Sequence, residues 1–201
     1  MSDKSNNISN QLFEALNFTF QLHGRDARKG GNIPYMAHLL SVCALVQQDG
    51  GDEEEAIAAL LHDALEDKPH DVNREELKQR FGEKVLLMIE LATDTPPDYA
   101  GGVKPPWRKR KEQYLEHVRS SRPELLRVTL ADKVDNARAI YGDFQRLGND
   151  LWERFNAGRD DQFWYYSNAV EAFKAAGVSG PLLRELQDLV KKIWPEKWRT
   201  P

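Results

Sequence analysis

Four ionisable residues end an otherwise apolar run in the first third of the chain. The run reads Leu60-Leu61-His62-Asp63-Ala64-Leu65-Glu66-Asp67. On a helix, His62 and Glu66 lie one turn apart. Asp63 and Asp67 have the same spacing, so one imidazole and three carboxylates would share adjoining faces of a single turn. This much negative charge beside apolar flanks is costly unless a cation compensates it, and the pattern therefore favours a bound divalent ion.

Two more residues of the ligand type lie on apolar segments elsewhere. His38 follows Pro34-Tyr35-Met36-Ala37, and Asp132 follows Leu130-Ala131. A His-Asp pair alone is weak evidence, because it is common by chance and can be a solvated helix end. Two imidazoles and two carboxylates together form a mixed nitrogen and oxygen set suited to Mn²⁺, Fe²⁺, Co²⁺ or Zn²⁺. We predict the metal ligands to be His38, His62, Asp63 and Asp132.

The elements that position these residues are predicted to be helices, because helix start and stop signals recur and strand-type alternation is scarce. The segment from Asp94 to Pro106 carries four prolines and two adjacent glycines, which predicts a long loop. Loops of this length in compact domains often bind substrate. The predicted helices are Ser9–Gln21, Tyr35–Gln48, Glu53 to about Leu65, Asn73–Phe81, Lys84–Ala92, Trp107–Arg119, Pro123–Leu147, Asp150–Asn156, Asp160–Ala176 and Pro181–Ile193.

The bulk composition limits the classes of protein that this chain can be. Its 201 residues, 40% of them hydrophobic, suit one domain with its own core. The single cysteine, Cys43, lies in an apolar run and is expected to be a small core residue in a reducing compartment. A net charge of −4 disfavours a nucleic-acid coat. Because neither a secretion signal nor a membrane span is evident, we expect a cytoplasmic protein without membrane or nucleic-acid partners.

The ordered set of His38, His62-Asp63 and Asp132 resembles the HD superfamily of metal-dependent phosphohydrolases. Within it, the closest resemblance is to the hydrolase domain of Rel/SpoT-type alarmone enzymes and to the stand-alone small alarmone hydrolases. The resemblance runs from about His23 to Arg138. The matching motifs are Arg28-Lys29-Gly30, Pro34-Tyr35-Met36-Ala37-His38, Ala58 to Asp67, Phe81-Gly82, and Leu130-Ala131-Asp132-Lys133 with Asn136 and Arg138.

This resemblance implies an all-α fold, the HD-domain helical bundle. We expect residues 1–201 to form a single domain, with a core at about 8–147 and C-terminal helices at about 150–194 that complete the pocket. The implied activity removes pyrophosphate from the 3′ position of guanosine tetra- or pentaphosphate, with adenine analogues as further substrates. The implied cofactor is one divalent ion, Mn²⁺ above all.

The resemblance also implies roles for individual residues. Glu66 and Asp67 match the acidic pair that positions or deprotonates the attacking water. Arg28 and Lys29 match basic residues that touch the nucleotide and its phosphates, and Asn136 matches a ribose contact. One departure stands out, because Asp135 occupies a position at which the family usually has histidine.

Further substrate contacts are predicted from the residues themselves. Lys104 lies close to the basic run Trp107-Arg108-Lys109-Arg110-Lys111, which is either a rim that neutralises phosphate or a solvated helix face. Tyr165 and Tyr166 either pack in the core or offer a ring or hydroxyl to a nucleotide. We take Lys104 and Tyr165 as candidate substrate contacts.

Two other functions stay open at this level. One is an HD-type nucleotidase or phosphatase that acts on another phosphorylated nucleotide, since the resemblance fades after Arg138. The other is a non-catalytic nucleotide-sensing module, which the intact Glu66 and the complete ligand set disfavour. A homodimer is also open, because Trp194 and Trp198 can either pack the last helix or form a contact between copies.

Overall fold

The computed structural model describes residues 9–28, 31–96, 99 and 101–197. All regular structure in these residues is helical, apart from one isolated bridge between Ala27 and Pro34. The helices are α1 (Asn10–His23), α2 (Tyr35–Gln48), α3 (Glu53–Leu61), α4 (Ala64–Asp67), α5 (Arg74–Phe81), α6 (Glu83–Ala92), α7 (Trp107–Ser120), α8 (Arg127–Leu147), α9 (Arg159–Ala175) and α10 (Pro181–Ile193). The predicted all-α fold is confirmed.

Helix α3 lies at the centre of the N-terminal part and packs against α1, α2, α6 and α8. Its start is fixed by a capping box, in which the Asp52 side chain accepts a hydrogen bond from the Glu55 backbone N–H and the Glu55 side chain accepts one from the Asp52 N–H. Every residue from Glu55 to Leu61 is buried. This burial places the end of α3, and therefore His62, deep inside the protein.

The prediction that the third helix continues to about Leu65 is wrong. The helix ends at Leu61, and the separate turn α4 begins at Ala64. Two carbonyls of the last turn meet side chains at this point: Ala59 O contacts His62 Nδ1 at 2.8 Å, and Leu60 O lies 3.2 Å from the Thr19 hydroxyl, which also donates to Ala15 O at 2.8 Å. The break turns His62 and Asp63 toward the same space.

Helix α8 is the long element that the second half of the protein is built around. It packs against α2, α3 and α6 on the site side and against α10 behind. The chain enters it through a 3₁₀ turn at Pro123–Leu125, so the helix predicted from Pro123 is α-helical only from Arg127. The helix predicted over Asp150–Asn156 is likewise a 3₁₀ segment, Gly148–Arg154.

Helices α9 and α10 close the structure behind the site. Helix α9 packs on α7, and α10 packs on both α8 and α9. Their junction is aromatic: Trp194 is fully buried and stacks on Trp152 with ring centroids 5.5 Å apart. Cys43 is buried on α2, as predicted. None of the helices in the described residues has the length and apolarity that crossing a bilayer requires.

Substituting Asp52→Ala should lower the free energy of unfolding by about 1 kcal/mol, because the capping box of α3 is lost. Chemical denaturation measures this difference. Glu54→Ala is the matched control, since Glu54 shares the Lys84 ion pair with Asp52 but takes no part in the cap. The control should change stability by no more than about 0.5 kcal/mol. Equal losses in both variants would contradict the capping argument.

Candidate metal centre and active site

The structure brings His38, His62, Asp63 and Asp132 together from α2, the α3–α4 junction and α8. The two imidazole rings meet edge to face with centroids 5.1 Å apart. His38 Nε2 lies 3.3 Å from Asp132 Oδ1 and 3.6 Å from Asp63 Oδ2. His62 Nε2 lies 3.1 Å from Asp63 Oδ2 and 3.6 Å from Asp132 Oδ1. Residues distant along the chain therefore present ligand-type atoms to one small space.

In both histidines, Nδ1 contacts an oxygen outside the cluster and Nε2 faces the cluster. His62 Nδ1 contacts the Ala59 carbonyl, which fixes this nitrogen as the N–H donor. Its Nε2 is buried and has no hydrogen-bond partner among the described residues. His38 Nδ1 contacts Asp135 Oδ2 at 2.6 Å, which leaves Nε2 facing the cluster. Imidazoles that ligate metals are typically held in this way by a partner on the other nitrogen.

The ligand atoms of His38, His62 and Asp132 all lie within 4.8 Å of one another, which is compatible with coordination of a single ion. Asp63 adds a carboxylate whose Oδ2 also accepts a hydrogen bond from the Tyr35 hydroxyl at 2.5 Å. Such a mixed nitrogen and oxygen set fits a divalent cation of the first transition row or Zn²⁺. This cluster therefore indicates a divalent metal.

The electrostatics of the cluster follow from its burial and from the contacts between its members. Burial alone lowers the pKa of His38, but hydrogen bonds to Asp132, Asp135 and Asp63 outweigh it and raise that pKa to about 10. Burial also lowers the pKa of His62, and Asp63 and Asp132 raise it well above its usual value. In the metal-free protein, protons on the imidazoles thus balance the carboxylates. A metal ion must displace these protons when it binds.

The predicted acidic pair lies next to this centre. Glu66 Oε1 accepts a hydrogen bond from Lys104 Nζ at 2.8 Å. The pKa of Asp67 is raised to about 7, because protein surrounds its carboxyl on most sides and because Asp63 and Glu66 carry like charge. A carboxyl with this pKa can give or take a proton near neutral pH.

A cavity beside the cluster adjoins a second cavity that lies farther from it. The smaller, of about 160 Å³, is bounded by His38, Asp63 and Asp132 together with Glu66 and Asp67. The larger, of about 330 Å³, extends toward α9 and is lined in part by aromatic side chains. Four residues line both spaces: Tyr35, Lys111, Lys133 and Asn136. The two cavities therefore form one substrate-sized cleft with the cluster at one end.

The buried Lys133 and the half-buried Lys111 form the cationic part of this cleft, and the sequence did not single them out individually. Lys133 Nζ lies 2.5 Å from Asp132 Oδ2, and Lys111 Nζ lies 2.5 Å from Asp94 Oδ2. Burial alone would lower both pKa values, but Asp132 raises that of Lys133, and Tyr165 with Asp94 raises that of Lys111. Both ammonium groups therefore stay charged. Of the predicted basic run 107–111, Lys111 and the Trp107 ring reach the cleft.

The predicted substrate contacts differ in how they relate to the cleft. Arg28 lines the larger cavity and donates hydrogen bonds to Asp135 and Asn136. Asn136 lines both cavities, whereas Lys104 is bound to Glu66. Lys29 lies outside the described residues.

Tyr165 is buried on α9 and lines the larger cavity. Its ring lies 4.7 Å from Lys111 Nζ, and its centroid is 6.0 Å from that of Trp107. The Tyr165 hydroxyl has no hydrogen-bond partner among the described residues. Tyr165 thus both packs in the core and lines the cleft.

The comparison with protein families decides the identity of the fold. The model of the HD domain matches residues 15–163, which include every residue of the metal cluster. The chain belongs to the HD-domain family. This confirms the resemblance drawn from the order His38, His62-Asp63 and Asp132.

Several relatives of this HD-domain protein are named for the same reaction. It is 32% identical over 166 residues to the guanosine-3′,5′-bis(diphosphate) 3′-pyrophosphohydrolase MESH1 of Xenopus tropicalis, with 81% of this chain and 84% of the relative covered. It is 34% identical over 133 residues to the guanosine-3′,5′-bis(diphosphate) 3′-pyrophosphohydrolase of Aquifex aeolicus. That match covers 65% of this chain but spans only 18% of the longer relative.

A solved structure of similar length shares the fold. It is described as a metazoan ortholog of SpoT that hydrolyzes ppGpp, and it superposes with a TM-score of 0.76. The match covers 96% of this HD-domain protein and 99% of the other chain at 23% sequence identity. The likeness in fold therefore extends past the metal cluster to the C-terminal helices.

The raised pKa of Asp67 predicts a pH-dependent stability difference in the metal-free protein. Between its ordinary value of 3.8 and about 7, the folded chain keeps this proton and the unfolded chain releases it. The stability contributed by Asp67 is thus present at low pH and lost as the pH rises through about 7. Asp67→Asn should therefore gain stability over the wild type on going from about pH 5 to about pH 8.

Denaturant unfolding in the presence of a chelator measures this difference at each pH. Asp71→Asn, which alters a carboxyl outside the cluster, is the control and should show no such trend. A stability difference for Asp67→Asn that is the same at both pH values would contradict the raised pKa.

Proposed function

We propose that this chain is a metal-dependent hydrolase that removes the 3′-pyrophosphate from guanosine-3′,5′-bis(diphosphate). The observation that carries the proposal is the cleft itself, in which a two-histidine, two-carboxylate cluster lies beside the ammonium groups of Lys111 and Lys133 and a cavity large enough for a nucleoside. The relatives of similar length that are named for this reaction support it. The proposal includes adenine analogues of this nucleotide as substrates.

We assign the metal to His38, His62, Asp63 and Asp132, with Mn²⁺ as the ion. A divalent ion bound there lowers the pKa of a water molecule and offsets the charge that develops on phosphoryl oxygens. Both histidines already present Nε2 to the cluster, and the carboxylates lie within 3.6 Å of these nitrogens. Little rearrangement of the protein is therefore needed for binding.

In the proposed reaction, a water oxygen bonds to the phosphorus attached to the ribose 3′ oxygen, and the bond between that oxygen and phosphorus breaks. The products are GDP and pyrophosphate. Glu66 accepts the proton from the water, and Lys104 holds its carboxylate at 2.8 Å so that it faces the cavity. Asp67, whose pKa is about 7, donates a proton to the leaving 3′ oxygen.

The charge of the substrate is matched by Lys111 and Lys133. Both lysines line the smaller as well as the larger cavity, so their ammonium groups lie between the cluster and the space for the nucleoside. Phosphate oxygens can replace Asp94 and Asp132 as partners of these groups. The nucleoside then occupies the larger cavity, beside Tyr165 and the Trp107 ring. Arg28, from the segment before α2, and Asn136, from α8, line the same cavity.

We extend the proposed domain to the whole described chain. The family model ends at residue 163, yet α9 supplies Tyr165 to the cleft and α10 packs against α8. Helices α9 and α10 are therefore part of the same unit as the cluster. Removing them would expose the rear of the cleft.

Purified protein with Mn²⁺ should convert guanosine-3′,5′-bis(diphosphate) to GDP and pyrophosphate, as followed by anion-exchange chromatography. His62→Ala or Asp63→Ala should reduce kcat by at least about 10³-fold, because each removes a ligand of the ion. Arg138→Gln, which breaks a surface ion pair with Glu185, is the control and should keep full activity. If guanosine-3′,5′-bis(diphosphate) is stable while another phosphorylated nucleotide is hydrolysed, the chain is a different HD nucleotidase. Binding without any turnover would instead indicate a sensor.

Lys111→Met should lower kcat/KM by about 10- to 100-fold, because a charge-assisted hydrogen bond to phosphate is lost. Lys109→Met is the matched control, since Lys109 lies two residues earlier on the exposed side of α7. Steady-state kinetics in matched salt measures both variants. Equal effects of the two substitutions would show that only net charge matters, against a specific role for Lys111.

A further inference from the structure

Asp135 is buried on α8, one turn from Asp132, and its carboxylate is the meeting point of three donors. It receives hydrogen bonds from His38 Nδ1 at 2.6 Å, from the Ser41 hydroxyl at 2.5 Å and from Arg28 Nη1 at 2.9 Å. A carboxylate has enough lone pairs to accept all three. Asparagine or histidine at this position has fewer acceptor sites and no negative charge.

The contact with His38 determines which ring nitrogen faces the cluster. Because Nδ1–H is directed to Asp135, Nε2 is the nitrogen that lies 3.3 Å from Asp132 Oδ1. His62 is held in the same orientation, but by the backbone carbonyl of Ala59. One imidazole is therefore oriented by main chain and the other by a side chain that a single substitution can remove.

Arg28 extends this arrangement to a second member of the cluster. Its Nη1 donates to Asp135 and its Nη2 donates to Asn136 Oδ1 at 2.7 Å. Asn136 Nδ2 in turn donates to Asp132 Oδ1 at 2.5 Å. One guanidinium is thus tied to His38 through Asp135 and to Asp132 through Asn136. Its positive charge also compensates the Asp135 carboxylate, whose side chain is only 11% exposed.

We propose that Asp135 is a positioning residue for the metal centre, which fixes the tautomer and ring orientation of His38 and increases the basicity of its Nε2. The inference rests on one part of the proposed function, namely that His38 is a metal ligand. It does not depend on which nucleotide is the substrate. Arg28 acts through Asp135 and Asn136 and keeps both of these groups in place.

Binding of Co²⁺ alone tests the proposal, because its absorption spectrum and titration report the ligand set without any substrate. Asp135→Ala should weaken Co²⁺ binding by about 10- to 100-fold and change the spectrum. Asp135→Asn should recover part of the affinity, since its amide oxygen can still accept from His38 Nδ1. Glu185→Gln is the matched control, because it removes a carboxylate that pairs with α8 on the surface, and it should bind Co²⁺ like the wild type.

Affinity of Asp135→Ala within about twofold of the wild type would overturn the proposal, because losing a second-layer partner normally costs at least tenfold. An equal loss in Glu185→Gln would do the same. Thermal unfolding without metal accompanies each titration, so that a general loss of structure is separated from a loss of metal affinity.

A measurement on the wild type decides the matter if Asp135→Ala does not fold. In the Zn²⁺-loaded protein, long-range ¹H–¹⁵N spectra should show His38 protonated at Nδ1 and metal-bound at Nε2. The opposite assignment would refute a role for Asp135. If the spectra and the Co²⁺ titrations agree with the proposal but guanosine-3′,5′-bis(diphosphate) is not hydrolysed, then the substrate assignment fails and the positioning role stands.

Discussion

Two imidazoles and two carboxylates occupy one largely buried space. Each must have its charge compensated by the others, and this requirement constrains the rest of the structure. Charges removed from water are costly unless each has a partner within a few ångströms. Helix α3 must therefore end where it does, α2 must present His38 to it, and α8 must pass close to both. The apolar packing of α3 against four neighbouring helices supplies the free energy that holds this polar centre together.

The groups outside the cluster are arranged as a second layer that is almost entirely paired. Tyr35 binds Asp63, Lys133 binds Asp132, and Asp135 binds His38. Lys104 binds Glu66 in the same manner. Each of these contacts limits the freedom of a side chain to which we assign a part in the chemistry. A site organised in this way needs little reorganisation during reaction.

The helices could be predicted from the sequence because their signals are local. Asp52 and Asn73 are of the type that caps helix starts, and the side chain of each accepts a hydrogen bond from the backbone of the helix that follows. The four expected metal ligands could also be chosen, because each is a polar residue on an apolar stretch. The break after Leu61 could not, since Leu60 to Leu65 is a good helix-forming run and the break involves the Thr19 hydroxyl from another helix.

The two lysines of the cleft could not be singled out from the sequence for a related reason. Neither Lys111 nor Lys133 stands out from its neighbours in the sequence, and each is partly enclosed by a ring from another helix: Tyr165 of α9 lies near Lys111, and Tyr114 of α7 lies near Lys133. Asp135 shows the same limit, because its three donors come from the region of α2 and the segment before it. Contacts between residues that are distant along the chain produce no periodic pattern in the sequence.

The position of α8 late in the chain has a consequence for synthesis. Protein emerges from the ribosome from its N-terminus, so His38, His62 and Asp63 are exposed to the cell before Asp132 exists. A nascent chain that ends at α7 carries an incomplete ligand set and lacks both Lys133 and the wall of the cleft. The cluster of His38, His62, Asp63 and Asp132 can therefore form only after α8 has been synthesised and has packed against α2 and α3.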